Sequence, residues 1–331
     1  MMRSLVMTMI GACALLACGS EPQDAAPATD GAPAVRKLRL ALNWKPEPEF
    51  GGLYEAERAG FFAKRNLAVE ITGGPGAPVV QMVQAGKVEL GIAAADEVVI
   101  ARDRGSDVVA VFATYQTSPQ GIMAHASRGA ASLGALLESG GTLAVEPGLP
   151  YVKWFEKHFD LSKTKIVPYG YSVAPFLNDP LLATQVFVTA EPIAARRQGA
   201  DPKVFLIAES GFDPYAAVVI AKGAWLRENR AVVADFVAAL REGWRAYLDD
   251  PAPANALMGG LNQEMDAETF RLGAAAQAPL IENEFTKRHG IGAMSLERWT
   301  ELAAQLGTLG LLDGTPKPAE CFAEIDPVER P

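Results

Sequence analysis

Apolar and polar positions sort along the chain into three regimes. Residues 5–17 are a mostly apolar run behind a single Arg3, and 20–35 hold few large apolar side chains. From residue 37 the pattern becomes periodic. KLRLAL at 37–42 alternates with period two and predicts a strand. Helical spacing predicts a helix over 53–64, after Gly51-Gly52, and others over 79–85 and 98–103, the last with Asp96 as N-cap. Strands are predicted at 68–72, 88–93 and 108–114, with a Gly73-Gly74-Pro75-Gly76 loop between. This βαβαβ rhythm implies a mainly parallel sheet covered by helices.

The same rhythm returns further on. Strands are predicted at 142–145, 165–168, 185–189 and 204–207, and helices at 151–159, 174–177 and 191–198. Beyond 221 the chain turns helical, with amphipathic spacing over 230–248, 266–276 and 295–306; Ser295 is the expected N-cap of the last and Gly307 its expected stop. Two α/β units and a helical tail predict two lobes with a ligand cleft between them.

Composition narrows the partners. A net charge of -9, with no basic run of five residues, argues against nucleic acid. The run at 5–17 is too short to span a bilayer and reads as a signal peptide, residues 1–17. LLAC at 15–18 resembles a bacterial lipoprotein signal, with Cys18 as the lipidation site; the alternative is an ordinary secretory signal. Residues 18–35 then form a flexible tether, and the protein faces the periplasm or the cell exterior from the envelope. Of Cys13, Cys18 and Cys321, only Cys321 remains free in the mature chain, so no intramolecular disulfide is expected. His125, His158 and His289 follow no metal-ligand spacing.

LNWKP at 42–46, followed by GGLYEA at 51–56, resembles the opening segment of periplasmic binding proteins for the thiamine pyrimidine precursor. Their superfamily also holds nitrate, sulfonate and taurine binders. VQAGKVELGI at 83–92 is similar to the family's AAGKADFGV element, and VFVTAEP at 186–192, GFDPY at 211–215, GIGAM at 290–294 and the helix bearing Trp299 match a subgroup pattern. The resemblance spans about residues 37–322. It implies an α/β type II periplasmic binding protein: two Rossmann-like lobes with mainly parallel sheets around a ligand cleft, and a helical C-terminal part. Lobe 1 would comprise 36–118 and 217–331, and lobe 2 would comprise 119–216. The hinge crossings would fall at 116–121 and 211–215, which Gly and Pro punctuate. The implied partners are a small-molecule ligand and an inner-membrane ABC permease with its ATPase. The protein would be a monomer without a cofactor.

Trp44 follows the first strand, where the carboxyl end of a parallel sheet opens to the crevice. Its face can stack on a flat heteroaromatic ring, or it can anchor strand to helix. The resemblance implies that Asn43 and Trp44 line the pocket. Glu191 can accept N–H bonds from an aminopyrimidine edge, a role the resemblance supports, or it can serve as a first-turn acid ahead of Pro192. Phe187 is either the opposite wall of the ring slot or a core residue. Tyr115 and Gln116, with Thr117, follow a buried strand and can line the cleft floor; Tyr215 can do the same or pack the hinge. Two departures from the pyrimidine binders stand out: their His-Asn pair near Gln116 is absent, and Ala93-Ala94-Ala95 replaces bulkier polar residues, leaving a roomier, more apolar wall. Gly51-Gly52 can expose N–H groups to an anion or make a plain tight turn. Gly73-Gly74-Pro75-Gly76 lacks the Gly-Lys-Ser/Thr ending of a P-loop.

The expected function is a solute-binding lipoprotein of an ABC importer that captures a heteroaromatic ligand such as a thiamine pyrimidine precursor and is not an enzyme. The alternative is a binder of sulfonate, nitrate or another small anion. A pyrimidine-synthase-like enzyme is a weaker reading, because 73–84 contains neither the Lys nor the His that branch uses and no Cys cluster exists. A sensor ectodomain would need a partner, since no output domain is present in the sequence.

Overall fold

A computed structural model of the protein describes residues 34–325. The expected signal peptide, Cys18 and nearly all of the expected tether lie outside the described residues. The first α/β unit runs β1 (Arg36–Leu42), α1 (Gly51–Arg58), β2 (Leu67–Gly73), α2 (Val79–Gln84), β3 (Leu90–Ala93), α3 (Ala95–Asp103) and β4 (Val108–Tyr115). The second runs β5 (Gln120–His125), α4 (Leu133–Glu138), β6 (Gly141–Val145), α5 (Pro150–His158), β7 (Thr164–Pro168), α6 (Ala174–Asn178), β8 (Leu182–Phe187), α7 (Glu191–Arg197) and β9 (Pro202–Leu206). The chain then returns through β10 (Ala216–Lys222) to a helical tail. The tail comprises α8 (Gly223–Glu228), α9 (Arg230–Asp249), α10 (Ala252–Leu261), α11 (Ala267–Ile281), α12 (Glu284–His289), α13 (Leu296–Thr308) and α14 (Pro318–Cys321).

Among the described residues the strands form two five-stranded sheets, ordered β2-β1-β3-β10-β4 and β7-β6-β8-β5-β9. Each is parallel except for one strand: β10 runs antiparallel to β3 and β4, and β5 antiparallel to β8 and β9. These two are the first strands after each passage between the sheets. β5 falls partly on the segment expected to be hinge. Gly121 belongs to its ladder, where a Cβ would stand 2.9 Å from the Phe205 carbonyl oxygen, so this glycine serves close strand pairing. The first crossing is therefore confined to 116–119 and the second to 207–215.

Local chemistry explains three boundary differences. The helix expected over 53–64 stops at Arg58, because Gly60 adopts a left-handed φ of 72° and the Phe61 and Gly60 N–H groups bond back to Ala56 and Glu57. Gly307 does not stop α13; the same motif forms three residues later on Gly310, with Leu311 N bonded to the Leu306 carbonyl. Ser295 does cap α13, accepting from Arg298 N. Asp96 is not the cap of α3 but sits in its first turn, while Glu97 bonds back to Ala94 N at 2.8 Å. Gly51 and Gly52 open α1 and are both buried, with Gly51 N bonded to the Pro48 carbonyl: a Cβ on either would lie within 2.3 Å of the Tyr247 or Trp244 ring, so they let α1 press onto α9.

One arginine fastens both crossings. Arg298 donates to the Gln116 carbonyl at 2.5 Å and to the Asp213 carbonyl at 2.7 Å, pairs with the Asp213 carboxylate at 3.1 Å and lies 3.9 Å over the Tyr215 ring. Asp213 in turn accepts from Ser118 N at 2.8 Å.

Candidate functional site

A cavity of about 360 Å³ opens where the carboxyl ends of β1 and β7 and the start of α7 converge. That volume suits a small molecule. Trp44, just past β1, faces Tyr171, just past β7, with ring centroids 6.0 Å apart and planes inclined by 29°. Tyr169 stands 5.1 Å from Tyr171 and also lines the cavity. Tyr171 holds a positive φ of 53° and is 60% exposed. A bulky residue rarely adopts that backbone conformation, and such strain gathers at binding sites. A ring held between two aromatic faces needs about 7 Å between them, so Tyr171 must move out by about 1 Å to admit one.

The polar lining is acidic. Glu191 opens α7 at its first position, with Pro192 next. Its carboxylate accepts from Tyr169 Oη at 3.0 Å and from Phe187 N at 2.8 Å. Burial still holds its pKa above the ordinary carboxylate value. Glu47 faces it from the β1 side and accepts from the Trp44 indole N–H at 3.2 Å. Burial, reinforced by the charge of Glu191, pushes Glu47 up to about 8. Behind them Glu49 is 8% exposed and is pushed well upward by burial and by the same two acids. The Glu146 carboxylate acts on the Tyr171 phenol and raises its pKa. The nearby cations are engaged: Lys45 pairs with Glu264, and Arg197 at the end of α7 pairs with Asp266, the N-cap of α11. Arg197 also donates to Thr269 Oγ1 at 3.2 Å, which ties the second unit to the helical tail across the rim. The arrangement suits a flat ring edged with N–H donors or carrying positive charge, and it repels an anion.

The structure brings Trp44 and Glu191 into one cavity. Asn43 adjoins Trp44 but is not in the cavity lining; its Oδ1 is buried with no hydrogen-bond partner among the described residues. Phe187 packs against the core of the first unit, and Tyr171 takes the position opposite Trp44 instead. Tyr115 is fully buried, its hydroxyl 2.6 Å from Gln277 Oε1. Gln116 gives its amide to the Ala293 carbonyl at 3.0 Å, and the Tyr215 hydroxyl accepts from Ser295 N at 3.0 Å. These three hold the crossings to the helical tail rather than facing a ligand. Ala93 and Ala95 are buried in the core and Ala94 is half-buried; none of the three lines the cavity. Glu47, Tyr169 and Tyr171 went unread, although YGYS at 169–172 directly follows a parallel strand, where a crevice is expected. A second hollow of about 360 Å³, lined by residues such as Arg241, Phe285 and His289, is built wholly from first-unit and tail elements and holds none of the expected residues.

No helix among the described residues is long and apolar enough to cross a membrane. The model of the family described as NMT1/THI5 like matches residues 47–254. The chain is 24% identical over 306 residues to the riboflavin-binding protein RibY of Chloroflexus aurantiacus, covering 87% of this chain and 85% of RibY. It is 23% identical over 313 residues to the formylaminopyrimidine-binding protein of Halalkalibacterium halodurans, covering 88% and 91%. Among solved structures, the aliphatic sulphonate binding protein SsuA from Escherichia coli superposes with a TM-score of 0.67 at 13% identity, covering 89% of this chain and 94% of that one. The desulfurization enzyme DSZB superposes with a TM-score of 0.60 at 12% identity, covering 87% and 96%. These likenesses show the fold, a two-lobed periplasmic binding protein.

Proposed function

The chain belongs to the NMT1/THI5-like family, and from that premise we propose that it is the solute-binding component of an ABC importer, taking a planar nitrogen heterocycle between its lobes. The observation that carries this reading is the pairing of aromatic faces, Trp44 and Tyr171, with carboxyls Glu47 and Glu191 that have no basic side chain bonded to them. Stacking adds about 0.5–1.5 kcal/mol beyond area burial, and charge-assisted N–H bonds fix the ring edge. The two related binders named for a formylaminopyrimidine and for riboflavin both bind flat nitrogen heterocycles, which supports the class. A pyrimidine is the first choice within it. Lobe 1 is taken as 36–118 with 217–331 and lobe 2 as 119–216; closure about Arg298 and the crossings hands a shut complex to the permease and its ATPase. Anchoring through Cys18 belongs to the same reading: Cys18→Ser should release the protein from the membrane fraction.

Isothermal titration against 4-amino-5-hydroxymethyl-2-methylpyrimidine, its formylamino relative, riboflavin, alkylsulfonates and nitrate tests the assignment. A heterocycle should bind, quench Trp fluorescence and be recovered unchanged by mass spectrometry. Tight sulfonate or nitrate binding with no response to any ring would overturn it, and chemical conversion of the bound ring would overturn the non-enzymatic part.

A further inference from the structure

Glu47 and Glu191 belong to different lobes and line one cavity from its two sides. Each carboxylate is oriented by a neutral donor, Trp44 Nε1 for Glu47 and Tyr169 Oη with Phe187 N for Glu191, so neither charge is cancelled by its own hydrogen bonds. Around the pair the charged groups compound the excess. Glu49 and Glu146 add carboxyls, while Lys45 and Arg197 are matched by Glu264 and Asp266. Bringing the lobes together therefore brings like charges together in a water-poor space.

Building on the ligand site assigned above, we propose that the facing carboxyls Glu47 and Glu191 make lobe closure conditional on positive charge, so that the protein selects a cationic heterocycle over its neutral isostere and stays open without one. A cation on the ring satisfies both acids and removes the repulsion that opposes closure. A proton taken from solvent does the same in the ligand-free protein. Acid should thus favour closure of the free protein yet compete with a cationic ligand, and alkali should do the reverse. The upward displacement of Glu47 by burial and by Glu191 agrees with this coupling.

Closure is measured on the ligand-free mature protein by single-molecule energy transfer between dyes on Lys87→Cys and Lys163→Cys. These are exposed positions, one on each lobe, and the remaining Cys321 is buried. Glu47→Gln keeps an oxygen for the Trp44 indole. It should raise the closed fraction several-fold at pH 8.5, the level wild type reaches near pH 6, and should flatten the pH dependence; Glu191→Gln should act in the same direction. Closed fractions and pH profiles identical to wild type in both variants would overturn the proposal. In parallel, 4-amino-5-aminomethyl-2-methylpyrimidine, a cation near neutral pH, should bind about tenfold more tightly than its neutral 5-hydroxymethyl counterpart, and Glu47→Gln should bring the ratio close to one. Equal affinities in wild type would also overturn it. If neither pyrimidine binds, the choice of ligand fails, while the ligand-free measurement still decides whether the acids gate closure.

Discussion

Replacing Gly273 with alanine separates the stability of the fold from the closure of its lobes. Gly273 lies buried within α11, and a Cβ there would stand 2.4 Å from the Thr189 carbonyl oxygen and 3.0 Å from Pro48 Cγ. Thr189 lies between β8 and α7, in the second α/β unit. Ordinary contact begins near 3.4 Å, so the methyl must drive the two backbones apart by about 1 Å. Alanine favours a helix interior over glycine by about 1 kcal/mol. If the lobes are free to part, the ligand-free protein keeps its stability or gains up to that amount. Overpacking of this kind costs about 1–3 kcal/mol, and here the cost falls on closure, where the Arg197–Asp266 bridge must also stretch. Ligand affinity then drops about 5- to 150-fold. Differential scanning calorimetry of the free protein and calorimetric titration of the bound heterocycle read the two effects separately. A lowered melting temperature with unchanged affinity would refute the reasoning, because it would mean that α11 and Thr189 belong to one rigid body.

Four further outcomes follow. Arg298→Ala strips bonds from the Gln116 and Asp213 carbonyls and leaves the Asp213 carboxylate without its counter-ion, held only by Ser118 N, costing about 2–4 kcal/mol in urea unfolding; Arg298→Lys should not restore it, since one ammonium cannot span both crossings. Trp44→Ala and Tyr171→Ala should each weaken ring binding about tenfold or more by titration, with Trp44→Phe much milder. Glu47 rises from an ordinary 4.5 to about 8 on folding. Its contribution is therefore intact below pH 4.5 and is lost as pH climbs through 8; Glu47→Gln should melt higher than wild type at pH 8.5, with the two curves meeting below pH 4.5. Burial pushes the Cys321 thiol up to about 11, so it should resist a disulfide reagent in the native protein and react on unfolding.

The strands of the first unit were legible because each is a short apolar run between turn residues. The antiparallel β5 was not, since Gly121 inside it reads as punctuation until the facing Phe205 backbone is known. α10 was hidden too. Its Gly259-Gly260 argue against a helix, whereas Pro253 sits in the first turn, where proline is tolerated; Met258 is buried and the Tyr247 hydroxyl binds Asn255 at 2.7 Å, so packing overrides propensity. At the site, Trp44 and Glu191 were readable because each follows a strand at its carboxyl end. Tyr171 obeys the same rule, but its meeting with Trp44, 127 positions away in sequence, depends on how the two α/β units come together. Tyr115, Gln116 and Tyr215 looked like cleft residues because polar groups at a crossing resemble polar groups at a ligand. Their partners, Gln277, Ala293 and Ser295, arrive from the distant helical tail.

The most direct measurement is a crystal structure of the protein with its tightest-binding heterocycle. The ring should lie between Trp44 and Tyr171, now about 7 Å apart, with its nitrogen edge against Glu47 and Glu191. A ligand seated in the hollow beside Arg241 and His289, or held by backbone amides with both carboxyls turned away, would contradict the account.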